Sequence, residues 1–204
     1  MTAWSDLIRE VATYVPACPD PVVEQAIART AAEFCQRTQV WVEWLEPIVI
    51  ASGVREYDIE PPAGATVIRM LQATLDGEPT DIRSARLMPR NPATRINERA
   101  GVTSADLLTL WLARDLTAGS KLELQVQLAP TRSATSLPDW IVERNWQALA
   151  AGAKARLLDM RGSWTDPQGA RRAQDDFERL THEATAFAWR GNSPAVPRAR
   201  PKWC

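Results

Sequence analysis

The sequence predicts an α+β protein: a helical bundle built from the N- and C-terminal segments, an inserted antiparallel β-sandwich or barrel domain, and an extended C-terminal tail. Apolar residues recur at helical spacing over 1–39 and again over 137–191. Between them, over 40–136, the period changes to two. After Gly191 the prolines at 194, 197 and 201 break any ladder, so 192–204 is expected to be an extended arm. Helices, then a block of strands, then longer helices is the order of a bundle that carries an insertion.

Each helix has its own signals. Ser5 and Asp6 can cap a first helix whose inner face is Leu7, Ile8, Val11 and Ala12. Pro16 to Pro21 is a stiff turn, and its Asp20-Pro21 opening recurs at Asp166-Pro167. A second helix follows with the stripe Val23, Ile27, Thr30 or Ala31, and Phe34, lapsing near Thr38, with Cys35 packed at its edge. The third is expected to open with Ser136 as capping hydroxyl ahead of Pro138, to bury Val142, Trp146, Leu149, Ala153, Leu157 and Met160, and to stop at Gly162. The fourth takes Asp166 as N-cap and Pro167 at its first position, and lays Ala170, Ala173, Phe177, Leu180, Ala184 and Phe187 along its neighbour before Gly191. Only Ser163, Trp164 and Thr165 separate Gly162 from that cap, so the two helices fold back on each other.

In the strand block, Val40–Leu45 and Ile48–Ile50 are rich in β-formers and end at Ser52-Gly53, with Arg55–Ile59 as the expected hairpin partner. Val67–Leu75 and Thr80–Leu87 flank Asp76-Gly77, a strong hairpin signal. Residues 89–101 are expected to be a loop, and Leu107–Ala113 to pair with Lys121–Leu128 across Thr117–Gly119. The last strand alternates, with Leu122, Leu124, Val126 and Leu128 inward and Lys121, Glu123, Gln125 and Gln127 outward, which predicts a sheet with one wet face.

Composition narrows the function classes. With 204 residues, 45% of them hydrophobic, the chain can bury one substantial core or two small ones. A net charge of -1, from 24 basic and 25 acidic residues, argues against a protein whose main task is neutralising a phosphate backbone. Cys18, Cys35 and Cys204 have neither metal-ligand spacing nor an even count, and His182 is the sole histidine, so a Cys/His zinc site is not expected and the compartment is read as reducing. No apolar run approaches the roughly 18 residues that span a bilayer, and the start lacks a signal peptide's pattern, so a soluble, intracellularly made protein is expected. The chain carries no dinucleotide fingerprint, phosphate loop or nucleophile elbow. His182 lies off its helix's inner stripe, and Asp175 and Asp176 beside Arg171, Arg172 and Arg179 read as surface pairs. No catalytic, metal-ligating or cofactor-binding residue is predicted, and no cofactor. Tryptophan is abundant, at nine residues; Trp41, Trp44 and Trp111 stand in strands with room on two faces, where interface and core packing are both open.

From Leu128 onward the chain resembles a known family. The carrying features are the Ala129-Pro130-Thr131 strand exit, the Leu137-Pro138-Asp139 helix start, Gly152-Ala153-x-x-Arg156-Leu157-Leu158, and Trp164-x-Asp166-Pro167 followed by an Ala-rich helix with Phe177. Earlier, EYDIEPPAG and LDGEP add weaker likeness, with Glu60 preceding Pro61 as a departure. Together these resemble the head-to-tail connector, or adaptor, proteins of tailed bacteriophages, whose closing helical hairpin would here be scaffolded by Pro138, Trp146, Gly152, Ala153, Leu157, Trp164, Asp166, Pro167 and Phe177. The resemblance implies a non-enzymatic virion protein, made in the host cytoplasm, that forms a dodecameric ring in the neck. It would bind the portal protein, tail or nozzle and tail-terminator proteins, and copies of itself. DNA would pass its lumen during packaging and ejection without sequence-specific binding, and no membrane would be involved. Pro197, Arg198, Arg200, Pro201, Lys202 and Trp203 are the expected portal-binding arm; a solvated end, or DNA contact by the basic residues, are the other readings of that tail. A non-phage scaffold or regulatory protein-binding module is the alternative function.

Overall fold

The computed structural model describes residues 1–83 and 101–190; the whole tail arm, the end of the expected strand 80–87 and nearly all of the expected loop 89–101 lie outside the described residues. Within that range the chain is mixed α+β. In chain order the elements are β1 (Thr2–Ala3), α1 (Trp4–Ala12), α2 (Asp20–Thr38), β2 (Val42–Trp44), β3 (Ile48–Val49), β4 (Glu56–Asp58), β5 (Ala65–Leu75), β6 (Glu78–Ile82), β7 (Gly101–Thr103), β8 (Thr109–Leu112), β9 (Lys121–Pro130), β10 (Ser136–Leu137), α3 (Asp139–Asp159) and α4 (Pro167–Trp189). They divide into two compact units, one from Met1–Val40 with the chain from Pro130 on, the other Trp41–Ala129. The second crossing falls at Pro130, earlier than the expected 136. Residues 131–136 join the helical unit because β10 pairs with β1 and the Trp4 indole donates to Ala134 O at 2.6 Å.

In the helical unit, tertiary contacts decide helix starts more than caps do. Neither Ser5 nor Asp6 caps α1: its N-cap is Ala3, with no side-chain cap, and the Trp4 N–H donates instead to Thr135 O at 3.0 Å. Ser136 likewise sits in β10 opposite Ala3, not at a cap, and Pro138 is the N-cap of α3, its carbonyl accepting from Ile141 and Val142. Asp20 opens α2 without a side-chain cap, although Pro21 occupies the first turn as expected of a residue whose missing N–H costs nothing there. The helix stops where Gln39 turns left-handed at φ 55°.

Helix α3 departs from the single-stripe expectation. Ile141, Val142, Asn145, Ala148, Leu149, Ala150, Gly152, Ala153, Ala155 and Leu157 are all buried, on more than one side, because α1, α2 and α4 all pack against it. Trp146, expected inside, is 39% exposed. The helix ends at Asp159, with Met160 as C-cap, short of Gly162. On α4 the buried thread is Ala170, Phe177 and Thr181; Leu180 is half-buried and Phe187 exposed, since a step of four from Phe177 reaches Thr181.

In the other unit, the strands run β2-β9-β5-β6-β7-β8-β4, with β3 also on β9, as one curled sheet. Asp76-Gly77, at φ 51° and 84°, closes the β5–β6 hairpin, the double positive-φ geometry that a two-residue turn between twisted strands demands. Three pairings differ from expectation. Strand β4 pairs with β8, not with its predecessor; β8 and β9 are not partners; and β7, read as the end of a loop, lies parallel to β6, so the sheet is mixed. Nor is one face of β9 wet throughout. Leu122, Leu124, Val126 and Leu128 are buried, but so are Gln127 and Ala129 toward the end of the strand.

Candidate functional site

The turn between α3 and α4 is built from the scaffold residues that the sequence singles out. Trp164 donates its indole N–H to Leu157 O at 3.1 Å, and Gly162 leaves room for that ring: a Cβ there would stand 2.9 Å from it. The Thr165 hydroxyl bonds Met160 O at 2.7 Å, closing the last turn of α3. Asp166 then receives Gln168 N–H at 3.1 Å and Gly169 N–H at 3.0 Å on one carboxylate oxygen, satisfying two of the orphan donors at the start of α4, with Pro167 supplying none.

Higher up, Gly152 and Phe177 meet at the junction of α2, α3 and α4. A Cβ on Gly152 would clash with the Thr30 methyl and lie 2.8 Å from the Phe177 ring, so only glycine lets the three helices approach this closely. Phe177 is buried, its ring centroid 6.5 Å from that of Phe34, with the Arg37 guanidinium 5.7 Å from its centre. Arg37 pairs with Glu178 and, at 3.1 Å, with Glu33, which also pairs with Arg156. That chain of alternating charges ties all three helices at the rim of the apolar contact. Hydrogen bonding to Glu178 raises the Arg37 pKa, and the same bond holds Glu178 below the usual carboxylate range. Nearby, Cys35 is fully buried and desolvation pushes its thiol up to about 12, so it is an inert packing group.

Ala153 and Leu157 are fully buried on α3, whereas Pro138 stands at its start and Trp146 on its exposed side. A second feature at that start has no local signature in the sequence. Asp139 receives the Met1 amino group and the Thr2 hydroxyl, both at 2.7 Å, and the former bond first, then the latter, holds its carboxyl below the ordinary range. An aromatic and cationic surface lies further along the same helix. Arg144 lies 4.9 Å over the Phe187 ring, joining the front of α3 to the back of α4. Trp140, one turn before Arg144, is 45% exposed, and Trp189 is 76% exposed. The Trp140-x-x-x-Arg144 spacing is its signal in the sequence, set apart from the inward stripe. Lys154 similarly covers the exposed Tyr14 ring at 3.2 Å.

Of the strand tryptophans, Trp41 is buried while Trp44 and Trp111 are largely exposed. His182 is exposed, and Arg179 pairs with Asp176 and Glu183 on the surface of α4. Among the described residues no group of three or more His, Cys, Asp or Glu is placed to hold a metal ion, and no helix is long and apolar enough to cross a membrane. The portal-binding candidates Pro197, Arg198, Arg200, Pro201, Lys202 and Trp203 lie outside the described residues. No protein-family model matches the chain, and no curated protein matches it.

Proposed function

We propose that this chain is a structural, non-enzymatic head-to-tail adaptor of a tailed phage, forming a dodecameric ring on the portal vertex in the virion neck. The α3–α4 hairpin carries this reading, because the residues that give the family resemblance are those that fold the hairpin back: Asp166 caps α4, Trp164 locks the turn, and Gly152 admits Phe177. In this reading the helices from both chain ends form a helical bundle and the inserted strands a barrel-like domain. Ring closure needs two dissimilar side surfaces meeting heterologously, and the exposed Trp140, Arg144 and Phe187 suit one of them, since aromatic and Arg side chains are favoured at interfaces. The C-terminal arm would grip the portal through Trp203 and its basic residues, with avidity around the ring making a durable joint. Net charge near zero suits a conduit that must not hold the DNA it passes.

The exposure of Trp146 and Trp189 favours a second reading, a non-phage scaffold or regulatory protein-binding module. Electron microscopy of the protein mixed with its candidate portal separates the two. The adaptor reading expects a co-axial ring on the portal ring, assembled from subunits that are monomeric alone by light scattering. Portal mixtures without rings overturn it. A chain truncated after Gly191 should keep its melting temperature and lose portal binding; undiminished binding would remove the arm from the proposal.

A further inference from the structure

We propose that the outer edge of β2 is a strand-addition site for an extended peptide of a partner protein in which apolar residues alternate with Arg or Lys. This inference stands on the sheet alone and is independent of the virion reading. Register fixes which backbone groups look outward. Leu45 N–H donates to Leu124 O at 2.9 Å and Leu128 N–H to Trp41 O at 2.8 Å, with Glu43 opposite Val126 between them. In an antiparallel ladder bonded pairs alternate with unbonded ones. Trp41, Glu43 and Leu45 therefore direct their backbone groups at β9, and Val42 and Trp44 direct theirs away. Since β2 ends the path of paired strands, nothing among the described residues meets those outward groups. Strand β3 continues the same edge: Ile48 stands opposite Leu122 and Ile50 N–H donates to Ser120 O at 2.9 Å, which leaves Val49 facing out.

The opposite end of the sheet is guarded where this one is not. On β4, Ile59 N–H bonds Leu108 O at 2.7 Å and Arg55 O accepts from Leu112 at 2.9 Å, so the outward residues are Glu56 and Asp58. Exposed charges at an edge discourage pairing with another strand. The outward residues of β2 and β3 are Val42, Trp44 and Val49, all apolar, with Trp44 47% and Val49 60% exposed. Charge selects the occupant. No Lys or Arg occurs between 41 and 54, Glu43 and Glu46 flank the edge, and acidic residues outnumber basic ones across the described part of this unit. An incoming strand would set its basic side chains on the face of Glu43 and its apolar ones beside Val42 and Trp44 on the other, while main-chain bonds supply affinity in the manner of β-augmentation.

Amide hydrogen exchange read by NMR on the full chain tests this, with a synthetic peptide of alternating Val and Arg as probe and one of alternating Val and Glu as control. In the chain alone, Val42 and Trp44 amides should exchange quickly while Glu43 and Leu45 are protected. The Val–Arg peptide should slow Val42 and Trp44 selectively, and the Val–Glu peptide should not. Trp44→Pro removes an outward N–H and no bond to β9, so it should abolish peptide protection and leave the thermal melt in place. If that variant does not fold, Trp44→Lys, which sets a charge against the apolar side chains of the probe, should abolish protection instead. Slow Val42 and Trp44 amides in the free chain, no slowing by the basic peptide, equal slowing by the acidic one, or retained binding by the folded variant would each overturn the proposal.

Discussion

At the junction of α2, α3 and α4 the helices touch through atoms that are missing, since Gly152 has no Cβ to hold Phe177 and Thr30 apart. The turns of the sheet are instead held by atoms that are exposed. Asp76 Oδ1 accepts from Lys121 N–H at 2.8 Å, Asp106 Oδ1 from Leu108 and Thr109 at 2.9 and 2.8 Å, and Asp115 grips Arg55 at 2.6 Å. The Gly152–Phe177 contact therefore depends on volume, and the turns of the sheet on the charge state of their carboxylates. Volume is insensitive to pH and intolerant of added methylenes, whereas carboxylate turns tolerate size and respond to protons.

The largest effect should come from emptying the junction. Phe177 is buried beside Phe34 and opposite Gly152, so Phe177→Ala removes a large ring from the place where three helices meet. A loss of about 3–5 kcal/mol is expected from such a truncation, read as a lower urea midpoint. A loss below about 1 kcal/mol would show that the three helices do not close on this ring, and the contrast between the units would fail on its helical side.

Overfilling the buried part of α3 is the next test. Ala153 is fully buried, and Ala153→Leu should cost about 1–3 kcal/mol by overpacking, which lowers the melting temperature by about 2–4 °C per kcal/mol for a chain of this size. Gly152→Ala makes a finer comparison. Helix propensity alone would stabilise it by about 0.5–1 kcal/mol, but the new Cβ would stand 2.8 Å from Phe177, so a net loss is expected. A gain in melting temperature would mean that the close approach is absent in solution.

These positions also mark what could be read from the chain. The α2 stripe was legible because Val23, Ile27 and Phe34 repeat at 3.6 and tertiary structure merely adds Ala26 and Thr38 to it. The Asp166-Pro167 start was legible because a cap is local chemistry. Trp146 was misplaced because α3 is covered on several sides, and periodicity cannot count neighbours. Strand existence was legible where β-formers alternate, and the Asp76-Gly77 turn gave its pair outright. Which strand meets which was not: β4 joins β8, and β9 runs between β2 and β5, through register information that no single segment contains. The ionic rim of Arg37, Glu33, Arg156 and Glu178 was equally hidden, since its members come from three helices.

The smallest expected effect is the one that isolates the sheet. Backbone donation from Thr109 first, then Leu108, holds the Asp106 carboxyl below its usual range; donation from Lys121 does so for Asp76, and hydrogen bonding to Arg55 for Asp115. A carboxylate whose folded pKa is depressed adds stability above its unfolded value, near 4, and that contribution is lost as pH falls through the folded value. The unfolded chain binds the proton first, so stability should decline as pH drops below about 5. Asp106→Asn keeps an oxygen that can accept from Leu108 and Thr109 but cannot take up a proton in that window. Exchange of those two amides should therefore depend less on acidification in Asp106→Asn than in the parent chain, after correction for the intrinsic pH dependence of exchange. Phe177→Ala, by contrast, should shift the urea midpoint of the helical unit by a similar amount at every pH. If the Leu108 and Thr109 amides of the parent chain open no faster at pH 3 than at pH 6, about one unit below and two above the unfolded carboxylate value, the turn is held by its backbone geometry, at φ 62° in Leu107, and the carboxylate is incidental to it.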